Sequence, residues 1–122
     1  MSTLRVNTVT DSAGSGNPDV GIDTSGIAKA WVHFSGTGTV EVFAAFNVSA
    51  ITDNSTGDFT VNFTTAFPDT LYASLFSVGG SAAIFKSRNK TGGSSASAIN
   101  IETENDSDAK ADAPNVYVAV FR

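Results

Sequence analysis

Apolar side chains recur at every second position along most of the chain. One such stretch runs from Ala28 to Phe34, and a similar alternation continues from Val40 to Val48. Alternation with a period of two is typical of β-strands, and no window has a helical period. Gly, Asn and Asp collect between these stretches, where turns need them. The pattern predicts about seven short strands and an all-β fold, an antiparallel, jelly-roll-like β-sandwich over residues 28–122.

The first 27 residues have a different pattern. Leu4, Val6 and Val9 form one weak alternating stretch, which is followed by a string of small and polar residues. This segment holds too few large apolar side chains to offset the conformational entropy of ordering itself alone. Residues 1–27 are therefore predicted to form an extended N-terminal arm that becomes ordered on a partner.

Charge predicts the register of one hairpin. An antiparallel pairing that sets Arg88 opposite Glu102 and Lys86 opposite Glu104 places opposite charges on one face. We expect this face to be a solvated charge ladder. The alternative is a basic stripe of Lys86, Arg88 and Lys90 that binds a ligand. The reverse face then carries Phe85, Ile99 and Ile101.

Several predicted strands are apolar on both faces, whereas a lone sandwich exposes one face of each strand. Strands of this kind need cover on both sides. Because no helix is predicted, another copy of the chain is the expected cover. The alternative is a thick monomeric core with a few surface aromatics. The side chains assigned to the intersubunit surface are Trp31, Phe43, Phe76, Tyr117 and Phe121.

Composition and charge exclude several classes of protein. The 122 residues have a net charge of -5, which disfavours binding to a nucleic-acid backbone. No apolar run approaches the roughly 18 residues of a membrane span, so no membrane insertion is expected. The opening sequence lacks the layout of a secretory signal peptide, which predicts synthesis in the cytoplasm. The chain has no Cys, which removes thiol catalysis and Cys-based zinc sites.

The remaining chemistry is sparse. The single histidine, His33, lies within a predicted strand and has no marked nucleophile or acid partner. Asp53 and Asp58 could be drawn as a glycosidase pair, but any chain with twelve acidic residues offers such pairs. The acidic segment 104–112 does not fit an EF-hand calcium loop, and a weak calcium site of another type stays an alternative. We expect no catalytic residue, no metal and no cofactor.

Two segments, Gly26–Thr39 and Phe46–Thr65, resemble a segment common in tail-fibre and related virion proteins of tailed bacteriophages, especially phages of aquatic bacteria. The opening Met1–Thr8 is similar to the start of such proteins. The resemblance implies a structural virion protein, usually a homotrimer, whose N-terminal part docks to the particle. It also implies a distal β-domain that touches the host surface. The segment after residue 66 resembles no family.

These observations predict a non-enzymatic bacteriophage virion protein, fibre-like and homotrimeric. Residues 1–27 are expected to bind other tail or virion proteins, and the β-domain to contact a host surface glycan. One alternative is a monomeric carbohydrate-binding module that uses Trp31 or Tyr72 to stack on a sugar. Another is a decoration protein of the capsid or baseplate. The candidate receptor contacts are Asp53, Asn54, Lys86, Arg88 and Lys90.

Overall fold

The computed structural model describes residues 2–3, 24–80 and 83–122. The predicted arm therefore lies almost entirely outside the described residues. A single turn of 3₁₀ helix, Thr24–Gly26, comes before the first strand. The strands are β1 (Ala30–Ser35), β2 (Glu41–Phe46), β3 (Val48–Ser55), β4 (Asp58–Phe63), β5 (Ala73–Gly79), β6 (Phe85–Asn89), β7 (Ala98–Asn105) and β8 (Asn115–Phe121).

The eight strands form two antiparallel sheets. Sheet A has the order β2-β1-β8-β5, and sheet B has the order β3-β4-β7-β6. The described residues contain no α-helix, so the predicted all-β sandwich is confirmed. No helix of the described chain is long and apolar enough to span a membrane.

The core lies between the sheets and is built from alternate residues of the four central strands. On β1 and β8 of sheet A, and on β4 of sheet B, every second side chain is buried and apolar, and on β7 the alternation buries Ile99, Ile101 and the polar Thr103. The rings of Phe34 and Phe59 meet edge to face across the core, with centroids 5.4 Å apart. The buried core residues of these strands are Ala30, Val32, Phe34, Phe59, Val61, Phe63, Ile99, Ile101, Val116, Val118 and Val120.

A single residue, Asn47, connects β2 of sheet A to β3 of sheet B. Its φ of 54° turns the chain at the edge of the sandwich. Its side-chain amide donates to the carbonyls of Lys29 and Thr65, and its Oδ1 accepts from Thr65 N at 2.7 Å. The sequence pattern did not separate β3 from the preceding apolar alternation. The predicted count of about seven strands was therefore one too low.

The turn between β3 and β4 depends on Gly57, and this dependence can be tested. Gly57 has a φ of +65°, and a Cβ there would lie 2.4 Å from the carbonyl oxygen of Thr103 and 2.8 Å from the amide nitrogen of Ala111. Gly57→Ala should lower the free energy of unfolding by about 3 kcal/mol, since strain and a backbone clash add. Gly38→Ala is the matched control, because Gly38 has a φ of +62° and open space around it.

The control should cost only about 1 kcal/mol, the strain of a left-handed alanine. Denaturant unfolding of both variants measures the difference. Equal losses in the two variants would contradict the role assigned to the close approach at Gly57.

Candidate functional site: the outer face of sheet A

The strands that the sequence marks as apolar on both faces come together in a single sheet. They are β1, β2, β5 and β8, the four strands of sheet A. The inner faces of β1, β8 and β5 line the core, and the other faces of all four strands form one continuous surface on the outside of the sandwich. We call this surface the outer face of sheet A.

The strand register arranges the outer face in two rows that cross all four strands. Cross-strand partners project to the same side of a sheet, so each chain of partners forms a row. The first row is Phe46, Trp31, Ala119 and Leu75, and the second is Ala44, His33, Tyr117 and Ser77.

Aromatic rings pack on one another around His33. The ring of His33 is stacked on Tyr117, with centroids 4.3 Å apart and an interplanar angle of 19°. The ring of Phe43 lies 4.8 Å from His33 on the opposite side. His33 Nε2 is within hydrogen-bonding distance of Asn115 Oδ1, at 3.1 Å. His33 is thus held inside an aromatic cluster by one polar contact, with no described nucleophile bonded to it.

A β-bulge brings both Phe43 and Phe46 to this face. The register between β1 and β2 shifts after His33, so that His33 pairs with Ala44 while Phe34 pairs with Val42. Phe43 is the extra residue, and its ring contacts His33. A strict alternation puts Phe46 on the face opposite to Phe43, so the predicted interface did not include Phe46. Bulges add one residue to a strand and have no simple signature in an apolar pattern.

The face exposes a large apolar area. Five of its side chains are 40% to 58% exposed, whereas each would be mostly buried in a core. At roughly 100 Å² for each half-exposed large side chain, they present about 500 Å² of apolar surface. That value lies near the upper end of the patches that monomeric proteins show. The five side chains are Trp31, Phe43, Phe46, Leu75 and Tyr117.

Three of the five predicted interface residues have exposed side chains on this face, namely Trp31, Phe43 and Tyr117. Phe121 occupies an outer-face position on β8 but is half-buried. Phe76 is on the other side of β5, where it packs against the core. The assignment of Phe76 to an outer surface is therefore wrong, and Leu75 occupies that position on β5. Both sides of β5 are apolar, so hydrophobicity could not decide which side faces the core.

Charged residues are nearly absent from sheet A and concentrated on sheet B. The strands of sheet A carry one Asp, Glu, Lys or Arg side chain among them, Glu41 at the start of β2. The outer face of sheet B carries Arg88, Glu102 and Asp58 together with Thr and Asn side chains. One side of the sandwich is thus suited to water, and the other is suited to an apolar partner.

The charge ladder on sheet B has the predicted register. Lys86 lies opposite Glu104, and Arg88 lies opposite Glu102. Phe85, Ile99 and Ile101 turn toward the core, also as predicted. The ladder is less solvated than expected, because Glu102 and its cross-strand partner Asp58 on β4 are buried at 7% and 4% exposure.

The buried carboxylates are covered by cations from neighbouring segments. Lys90 Nζ lies 2.5 Å from Asp58 Oδ2, Lys110 Nζ lies 2.8 Å from Glu102 Oε1, and Arg88 contacts both Glu102 and Glu104. The hydrogen bond from Lys90 is the main reason that the pKa of Asp58 lies below its ordinary value. The hydrogen bond from Lys110 does the same for the pKa of Glu102.

The predicted receptor contacts on sheet B are paired within the protein. Lys86 binds Asp108, Arg88 binds Glu102 and Glu104, and Lys90 binds Asp58. The stripe is therefore balanced by carboxylates and offers little net positive charge to a ligand.

The two other candidate contacts lie in β3 rather than in a loop. The predicted loop from Asp53 to Gly57 is reduced to a turn at Thr56 and Gly57. Asn54 donates to Asp58 Oδ1 at 3.2 Å and to Thr60 Oγ1 at 2.9 Å. Asp53 is exposed on the edge strand.

Acid should weaken the fold through Asp58 and Glu102. Their pKa values in the folded protein lie below the ordinary values of 3.8 and 4.5. The two carboxylates therefore contribute fully to stability when the pH is above the ordinary values. This contribution is lost as the pH falls through the lower, folded values. The free energy of unfolding should therefore decrease as the pH drops below about 4.5, and Glu102→Gln should reduce this slope.

Glu102→Gln should also cost about 1 to 2 kcal/mol at pH 7, because charge-assisted hydrogen bonds are lost. Asp108→Asn is the control, since Asp108 is 74% exposed and its ion pair with Lys86 is solvated. Urea unfolding at several pH values measures both variants. A Glu102→Gln variant with the wild-type acid slope would contradict the role given to this carboxylate.

Among the described residues, no group of three or more His, Asp or Glu side chains is placed to hold a metal ion. No protein-family model, curated protein or solved structure matches this chain. On the outer face of sheet A, an apolar depression of about 430 Å³ lies over Trp31, His33, Leu75 and Tyr117.

Proposed function

We propose that this chain is a non-enzymatic structural protein of a bacteriophage particle, fibre-like, which assembles as a homotrimer through the outer face of sheet A. The observation that carries this proposal is the exposure of Trp31, Phe43, Phe46, Leu75 and Tyr117 on one nearly uncharged sheet. Burial of such a surface is favourable in proportion to its area. The proposed role in a virion is supported by the resemblance of Gly26–Thr39 and Phe46–Thr65 to phage fibre segments.

A second copy is the partner that the surface suits best. The exposed apolar area of about 500 Å² is over half of the roughly 800 Å² that one partner contributes to a stable interface. Homo-oligomeric interfaces are more apolar than transient ones and contain few charged residues at their centre. Aromatic side chains such as Trp and Tyr carry much of the binding energy in such interfaces.

In the assembled particle, residues 1–27 bind other tail or virion proteins and the β-domain contacts the host surface. Three identical domains combine weak contacts by effective concentration, so a glycan bound weakly by one copy is held firmly by three. We assign no receptor contact to the paired basic stripe. Because that stripe is paired within the protein, the exposed loops at the ends of the sandwich are the remaining candidates for receptor contact.

The molar mass in solution tests the proposal. Light scattering on the full chain should give about three times the 12.5 kDa chain mass. A chain that starts at Ala28 should still form a trimer, of correspondingly lower mass, if the outer face drives assembly. It should be a monomer if residues 1–27 are required. A monomer at high micromolar concentration would contradict the proposed homotrimer.

A monomeric carbohydrate-binding module is the second candidate. The depression beside Trp31 and Tyr117 favours it, because sugars stack on aromatic rings. Tyr72, the other proposed platform, is half-buried, and its hydroxyl donates to the carbonyl of Ser95 at 2.9 Å. A sugar-dependent change in Trp31 fluorescence in a monomeric protein would support this candidate. The absence of such a change in a trimer favours the structural role.

A further inference from the structure

Neither edge of sheet A is paired with another strand among the described residues. β2 and β5 are the edge strands, and within the described part of the chain each pairs with one other strand. Natural sheets block their edges with Lys, Pro, short strands or inward charges, because a bare edge pairs with other chains. β5 contains no charged residue and no Pro, and β2 contains only Glu41 at its first position.

The edges of sheet B do have such protection. β6 carries Lys86 and Arg88 along the edge. β3 carries Asp53, which pairs with the inward-facing Phe59 and therefore sits on the inner side of an edge strand. The contrast within one domain indicates that sheet A, and not sheet B, is built to be extended by another chain.

β2 is also exposed on both of its faces. All six of its residues are exposed, including Val42, which pairs with the buried Phe34 and belongs to the inner side. Apolar side chains exposed on both faces of one strand mark it as a place where another chain can bind.

The directions of the strands suit a ring of copies. Sheet A has four strands, and each neighbouring pair is antiparallel. β2 and β5 therefore run in opposite directions. Rotation of a copy about an axis roughly along the strands brings its β5 beside β2 of the first copy in an antiparallel orientation, so the ladder continues without a break.

We propose that three copies close sheet A into a twelve-stranded ring, in which β2 of each copy forms main-chain hydrogen bonds with β5 of the next and the apolar outer face lies inside. This inference depends on the proposed homotrimer and specifies how its subunits join. Sheet B then lies on the outside of the ring, where its charged and Asn/Thr-rich face meets water. β2 has a bulge at Phe43, and bulges bend a strand and increase its twist.

The number of copies in the ring follows from the proposed homotrimer. A ring of about eight strands has an interior that side chains of ordinary size just fill, and rings of about sixteen leave an aqueous channel. Two copies would give a ring of eight strands and four copies a ring of sixteen. A ring of twelve strands lies between these limits.

Hydrogen exchange distinguishes this ring from other trimers. Amides of β2 and β5 that point away from their own sheet should exchange at least about tenfold more slowly in the trimer than in a monomeric variant such as Leu75→Glu. Amides of the sheet B edges, β3 and β6, are the internal control and should not change. If the wild-type chain is not a trimer, the proposed function itself fails.

A trimer whose β2 and β5 amides exchange as fast as in the monomer would overturn the ring alone. Cross-linking provides a second readout, because the chain has no Cys. Ala44→Cys combined in turn with Ala73→Cys, Leu75→Cys or Ser77→Cys samples three registers of β2 against β5. One pair should give covalent trimers on oxidation, and failure of all three pairs would overturn the proposed contact.

Discussion

Leu75→Glu is expected to convert the trimer into folded monomers, whereas Phe76→Glu should unfold the domain. Leu75 is 58% exposed on the outer face, so a carboxylate there is solvated in the monomer and desolvated only in the assembly. Phe76, one residue further along β5, packs against the core between the sheets. The molar mass by light scattering and the near-UV circular dichroism measure the two effects separately.

Phe43→Glu is a second variant of the outer face, on a different strand, and should behave as Leu75→Glu does. Lys86→Glu on sheet B is the control for an added acidic charge far from the outer face, and it should leave the molar mass unchanged. A trimeric Leu75→Glu variant with intact strands would show that the outer face is not the contact between subunits.

Phe59→Ala should lower the free energy of unfolding by about 3 to 5 kcal/mol. Phe59 is fully buried, and its ring packs against Phe34 across the sandwich and under Gly36. The loss is a large share of the roughly 5 to 15 kcal/mol that stabilises a domain of this size. Urea unfolding of a monomeric background such as Leu75→Glu keeps the measurement independent of assembly.

Phe59→Leu is the matched control, since it retains most of the apolar volume and should cost under about 1.5 kcal/mol. Phe46→Ala on the outer face should change the stability of the monomer little, because that side chain is 54% exposed. A loss for Phe59→Ala no larger than the loss for Phe46→Ala would contradict the placement of the core.

The sequence predicted those parts of the fold for which two independent patterns agree. In the β6–β7 hairpin, opposite charges on one face and apolar residues on the other both require the same register, and the structure has it. β1 and β8 likewise alternate clearly, with Val32 and Val118 turned inward as expected. The two-faced apolar pattern also identified the strands that form sheet A.

Prediction failed where the apolar pattern has two solutions. β5 is apolar at both Leu75 and Phe76, so either set of alternate residues could face the core. Only the register with β8 decides between the two sets.

The pattern also fails where the chain departs from regular strands. β2 and β3 have the pattern of one continuous strand because a single residue, Asn47, separates them. The bulge at Phe43 reverses the parity of Phe46, and the burial of Asp58 depends on β4 lying beside β7, which is a tertiary pairing.

Fluorescence of Trp31 tests the central claim most directly, because it is the only Trp in the chain and lies on the outer face of sheet A. Acrylamide quenching should be weak in the wild-type trimer and strong in Leu75→Glu. The emission maximum should shift to longer wavelength as the wild-type protein is diluted and dissociates. Quenching of Trp31 that is equally strong in a stable trimer and in the monomer would contradict burial of the outer face on assembly.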